Sequence, residues 1–267
     1  MNAIAVLLSA FVLPGFTNAA TEPSGGQLLQ GTFPGTARPG YVYLPPSFDP
    51  TTRYSVVYLL HGMPGSPSEY TNGTELGTFA DAQIAAGTVR PFIAVIPAAG
   101  PDPNYNGEWA GQWAAALVNR VVPWVDANLP TIATPAGRVL AGLSAGGYGA
   151  FDIALRHPSL FGAVESWSGY FTPLRDGPFK HADAATLAAN NPSLLARSEA
   201  AALRRAGIRF FVSTGPFHSH WIPRGTTQIF ARELHRLGLP VELHVYPDRA
   251  GEWREQFDAG LKWAFAA

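Results

Sequence analysis

Seven short runs rich in β-branched and aliphatic residues recur along the chain, with helix-like stretches between many of them, and this alternation restricts the fold more than any other feature. The runs are GYVYLPP (40–46), YSVVYLLHG (54–62), FIAVIPA (92–98), RVLAGLS (138–144), AVESWSG (163–169), IRFFVSTG (208–215) and VELHVYP (241–247). Most are apolar almost throughout instead of alternating, which is the pattern of strands covered on both faces. The intervening segments predict helices over 112–128, 146–157, 224–237 and 253–265. Strand, helix and strand in repeated order call for right-handed crossovers and a mostly parallel α/β sheet with helices on both faces. Ligands of such sheets bind beyond the carboxyl ends of the strands. Functional residues are therefore sought in the loops that leave each strand.

With 267 residues, 47% of them hydrophobic and 14% charged, the chain can bury one large core, and a single domain is expected over residues 38–267. A formal net charge of -1 without any run of like charge argues against nucleic acid and anionic membrane surfaces as partners. The absence of cysteine rules out disulfides, a thiolate nucleophile and cysteine-ligated zinc. At the N-terminus an apolar stretch over residues 3–16 precedes TNAA, whose small Thr17 and Ala19 suit cleavage near Ala19 or Ala20. Residues 1–20 are accordingly expected to be a signal peptide or the remnant of a membrane segment. Residues 21–37 are expected to form a flexible leader, and the protein to be secreted or associated with the cell envelope.

The run at 138–144 opens onto Gly142-Leu143-Ser144-Ala145-Gly146, a G-x-S-x-G between a strand and an amphipathic helix, the context that gives the motif meaning. A serine on so sharp a turn lifts its hydroxyl into the cleft, while the flanking glycines let neighbouring backbone pass close by. The helix that starts there directs its first amides at developing negative charge. In the loop His61-Gly62-Met63, the backbone N–H of Met63 is placed to form an oxyanion hole with that of Ala145. His61 itself is expected to bond the loop to a neighbouring turn.

Three segments carry a family resemblance: 41–66, 137–171 and the closing ELHRLGLPVELHVYP with its downstream EW and QFDAGLKWAF. They resemble the esterase D and antigen 85 mycolyltransferase family of α/β hydrolases, which includes feruloyl esterases, from about residue 38 to the C-terminus. The resemblance implies an α/β-hydrolase fold without a large lid and a serine acyl hydrolase or acyltransferase that needs neither metal nor cofactor. Ser144 then carries over as nucleophile, with Met63 and Ala145 as oxyanion donors.

The other catalytic partners do not carry over. Family members place an acid after the penultimate main strand and a histidine in a Gly-His-x-Trp turn after the last. This sequence has His218 near the first position and Gly251 at the second, counting back from Trp253. A serine hydroxyl without a base is a poor nucleophile. Of seven histidines only His218 and His220, in STGPFHSHW, combine the right loop with the right sheet edge. The expectation is an exchanged arrangement with imidazole from the 215–221 loop, slightly favouring His218, and an orienting carboxylate from Glu252 or, second, Asp248. His-x-His also raises the possibility of a metal, but no third ligand is evident nearby.

The 97–113 loop is expected to form one pocket wall through Tyr105, Glu108 and Trp109, although a solvated loop with an anchored tryptophan fits the same composition. Residues 170–198 are expected to add a small cap. Two classes of function remain open on these residues. One is an active esterase or acyltransferase working on a small-molecule or cell-envelope ester, and the other is a degenerate hydrolase that binds a ligand.

Overall fold

The computed structural model describes residues 11–215, 222, 223, 225–247 and 252–267. All seven runs form strands, and two more precede them: β1 (Phe16–Thr21), β2 (Gln27–Gly31), β3 (Gly40–Leu44), β4 (Ser55–Leu60), β5 (Phe92–Ile96), β6 (Arg138–Leu143), β7 (Ala163–Trp167), β8 (Arg209–Thr214) and β9 (Val241–Val245). They make one sheet in the order β1-β2-β3-β5-β4-β6-β7-β8-β9. The first three strands run antiparallel, and from β5 to β9 every pairing is parallel. The fully buried patterns of β5 and β7 explain their unbroken hydrophobicity, since side chains on both faces meet helices.

Helices α1 (Leu76–Ala85), α2 (Gln112–Ala116), α3 (Val122–Asn128), α4 (Ala145–Arg156), α5 (Ala184–Ala189), α6 (Pro192–Ser198), α7 (Ala200–Ala206) and α8 (Thr226–Arg236) fill the crossovers, and α9 (Glu252–Phe265) follows the last strand. The helix expected over 112–128 is α2 and α3 joined by a π-helical turn at Leu117–Val121. Residues 170–198, expected to be a small cap, contain α5 and α6. Two apolar cores flank the sheet. One is built on α4, around Phe151, Phe171, Phe210 and Phe230, and the other is built on α9, around Trp167, Phe257 and Phe265. None of the described helices is long and apolar enough to cross a membrane.

The domain boundaries drawn from sequence need correcting. Within the expected leader, 21–37, β2 pairs with both β1 and β3, and Phe33 is buried, so the ordered sheet begins at Phe16 instead of near residue 38. Leu13 and Phe16 enter the core, with Phe16 packed on Phe33 and Trp124 at ring separations of 4.9 and 5.3 Å. Cleavage near Ala19 or Ala20 would fall inside β1.

Candidate active site

Ser144 links β6 to α4 with φ 54° and ψ -114°, a conformation costly for any residue with a side chain. The glycines on either side are fixed by contact. A Cβ on Gly146 would overlap the Leu60 carbonyl at the end of β4, and one on Gly142 would overlap the backbone of Gly146. The neighbouring strand end is strained as well, because Ser168, following β7, has φ 48°. Between the two tips the Ser144 N–H donates to the Trp167 carbonyl at 2.9 Å. The serine hydroxyl is thus presented by a rigid support, with the α4 N-terminus behind it.

Ser144 opens into a cleft of about 420 Å³, walled on one side by the oxyanion loop at Gly62, Met63 and Pro64, and on others by Ser168, Ile222 and Trp253. Met63 packs with the cluster that contains Ala145, so the two expected oxyanion donors share one neighbourhood. His61 is structural, as its place in the sequence predicts. Its Nε2 accepts the Ala99 N–H at 3.1 Å, which assigns the proton to Nδ1 for donation to the Gly62 carbonyl at 2.9 Å. Burial holds its pKa down at about 4, so the ring is neutral and both nitrogens are occupied.

The structure revises the expected pocket wall. Trp109 is buried and donates its indole N–H to the His61 carbonyl at 3.0 Å, bracing the oxyanion loop from behind. Glu108 is fully buried, and neither residue is among the described residues lining the cleft. Glu108 Oε1 accepts from the Leu174 N–H at 2.9 Å and from the Tyr170 hydroxyl at 3.4 Å. Burial, followed by a hydrogen bond and repulsion from Asp176, pushes the Glu108 pKa up to about 9, so near neutrality its carboxyl O–H donates to the Asp176 carboxylate. This pair fastens the 97–113 loop to the 170–198 insertion.

That arrangement carries a pH dependence. A carboxyl whose pKa is raised by folding contributes stability that is complete below its unfolded value, near 4.5, and is lost as pH rises toward about 9. Glu165, fully buried and held up at about 8 by desolvation, acts in the same direction. Glu108→Gln keeps a donor toward Asp176 without an ionisable proton. Urea unfolding at pH 5 and pH 8.5 is expected to show wild type losing about 1–3 kcal/mol more than this variant over that interval. Equal losses would mean that the carboxyl pair does not couple to folding.

His218, His220, Asp248 and Gly251 lie outside the described residues, and Glu252 opens α9. The described residues narrow the search for a base nonetheless. His157 caps the end of α4, His235 lies in the last turn of α8, His181 is exposed, and His244 sits within β9 beside Glu242 at 2.7 Å. With His61 these make five described histidines, and none lines the cleft. β8 and β9 are adjacent and parallel, and the cleft is lined by Thr214 and Ile222, on either side of the undescribed loop, and by Trp253. Beneath them Gln256 of α9 cross-ties two strand tips, accepting from Ser213 Oγ at 2.7 Å and donating to Ser168 Oγ at 2.9 Å.

A family model described as "Putative esterase" matches residues 32–264, most of the chain and all of this site. The chain belongs to that esterase family. Among characterised relatives, an endo-1,4-beta-xylanase/feruloyl esterase of Xylanibacter ruminicola is 32% identical over 151 residues, covering 51% of this chain and 21% of that protein. Esterase Rv1288 of Mycobacterium tuberculosis is 27% identical over 241 residues, covering 77% of this chain and 51% of the relative. The chain thus spans about half or less of the length of these relatives. A solved ferulic acid esterase superposes with a TM-score of 0.76 at 22% identity, covering 90% of this chain and 97% of its own, which establishes the α/β-hydrolase fold of the esterase family here.

Sequence reasoning missed Glu69, which lines the cleft and accepts the Gly62 N–H at 2.8 Å. No motif marks it. The available signal was an acid seven residues after the strand-end glycine, beyond a Gly/Pro-rich turn. Gln256 was missed for a similar reason, being one polar residue within an otherwise ordinary amphipathic helix.

Proposed function

We propose that this member of the esterase family is a serine carboxylic-ester hydrolase. The reading rests on one observation above all: the strained Ser144 turn at the floor of a cleft bordered by the oxyanion loop. Ser144 Oγ attacks the ester carbonyl while its proton passes to an imidazole, and the carbonyl oxygen becomes an anion received by the N–H groups of Met63 and Ala145. Collapse of the tetrahedral species breaks the bond to the alcohol, which leaves with the proton from the imidazolium. Water, deprotonated by the same ring, then attacks the acyl-serine; the acyl–Oγ bond breaks, the imidazolium returns its proton to Ser144 Oγ, and the acid is released. The imidazole is that of His218 or His220, with Glu252 as its orienting carboxylate. Elimination of the five described histidines and the adjacency of β8 and β9 support this assignment. The substrate is a small-molecule or cell-envelope ester with an acyl group that an apolar cleft can hold. Support comes from the relative named as a feruloyl esterase.

A fluorophosphonate probe tests the reading directly, because it reacts with a serine only where a base and an oxyanion hole activate it. Folded wild type is expected to be labelled once, and Ser144→Ala not at all. A folded wild type that resists the probe would favour a binding protein built on a hydrolase scaffold.

A further inference from the structure

Among the described residues that line the cleft, one carboxylate is left unused by the reaction above. Glu69 begins the π-helical turn Glu69–Gly73, and its carboxylate accepts hydrogen bonds from the backbone N–H of Gly62, at 2.8 Å, and of Ser66. Its other oxygen lies against Gly65, where any Cβ would collide with it. A Cβ added to Gly62 would stand 3.5 Å from both Glu69 Oε2 and the Ser144 Cβ, so carboxylate and nucleophile flank the same glycine, no farther apart than the sum of those two distances. Burial raises the pKa of Glu69, and the two amide donors oppose that shift by stabilising the ionised form.

The remaining described lining is apolar or neutral. It includes Met63, Leu143, Ile222 and Trp253, with hydroxyls from Thr74 and Thr226, and it contains no lysine or arginine among the described residues. A negative charge in the wall of the cleft that holds Ser144, with no compensating cation among the described lining residues, repels a second negative charge brought in by a substrate. We propose that Glu69 is a specificity-determining residue that admits esters with a neutral or cationic acyl chain and rejects those with an anionic one. This inference rests on the esterase reading and adds a substrate class to it.

The experiment compares three p-nitrophenyl esters of equal chain length: those of hexanoic acid and 6-aminohexanoic acid, and the monoester of adipic acid. The cationic-to-anionic ratio of kcat/KM removes the common cost of desolvating a charge, leaving the sign of the charge as the variable. In wild type this ratio is expected to be roughly 10- to 100-fold, the effect of an ionised group about 6–12 Å from the substrate charge at an effective dielectric of about 40, between the protein-surface and bulk-water values. Glu69→Gln, which keeps an oxygen for the Gly62 amide, should bring the ratio toward unity. In unmodified protein, raising the salt concentration should also reduce it, since the cleft is open to solvent.

A ratio near unity in wild type, or one unchanged by both Glu69→Gln and salt, would overturn the inference while hydrolysis of the hexanoate leaves the esterase reading intact. A reversed preference, with the anionic ester turned over faster than the cationic one, would overturn it too. Failure to hydrolyse all three esters, together with no fluorophosphonate labelling, would bring down the esterase reading and this inference with it.

Discussion

Ser144→Ala and removal of the base are each expected to lower kcat by roughly 10²- to 10⁶-fold, and combining them should cost little more than the worse single change. On the proposed mechanism the hydroxyl and the imidazole act in one step, so loss of either leaves the other with nothing to do. The site would then retain only what the proposed Met63 and Ala145 amide donors and substrate binding supply. Of His218→Ala and His220→Ala, one should fall into this range, about 10²- to 10⁴-fold for a positioned general base, while the other remains near wild type. Glu252→Gln should lose less, because an orienting carboxylate contributes only part of the effect. Circular dichroism and thermal melts should show all these variants folded. Equal activity in the two histidine variants would refute the exchanged arrangement, and additive losses in the Ser144 double variant would show that serine and histidine do not share a step.

Starting the chain at Thr21 is expected to destabilise it strongly. Such a truncation removes Leu13, 2% exposed, Phe16, 8% exposed, and nearly all of β1. Phe11 also stands against Phe48 at a ring separation of 5.0 Å. Burial of a leucine and a phenylalanine is worth about 1.5–3 kcal/mol each, so the two together contribute about 3–6 kcal/mol. For a domain of this size a loss of that kind lowers the melting temperature on the order of 10 °C. Calorimetry on the full and shortened chains checks this. Identical melting would show that β1 adds nothing and that a cut near Ala20 is tolerated.

The contrast between β1 and the central strands shows where sequence was informative. β5 and β7 are covered on both faces, so each is an unbroken apolar run that no loop would imitate. β1 reads FTNAAT with only its first residue buried, and its small polar residues are also those favoured by a signal-peptide cleavage site. An exposed edge strand has no hydrophobic signature of its own. β2 was hidden by the Gly-rich turn before it and is held in place by pairing with β1 and β3, a long-range fact absent from local pattern.

At the site, the serine elbow could be read because its glycines answer to local steric need. The direction in which Glu108 and Trp109 point could not, since loop composition says which residues are present but not which side they face. Both turn inward, where Trp109 braces His61 and Glu108 finds Asp176. Glu69 became visible only when the loop was seen folded around its carboxylate.

The sheet's asymmetry has a bearing on how such a catalyst can change over evolutionary time. Ser144 hangs from β6, deep in the middle of the sheet, whereas the stretches proposed to supply the proton-handling groups follow in sequence after β8 and after β9, the strand at that edge of the sheet, whose residues are mostly open to water. Mutations at that margin disturb few packed neighbours, so a proton relay there can be lost and rebuilt in another order while the central hinge stays fixed. The same gradient predicts that gentle denaturants silence turnover before the interior melts, with amide exchange quickening along β9 well ahead of β6.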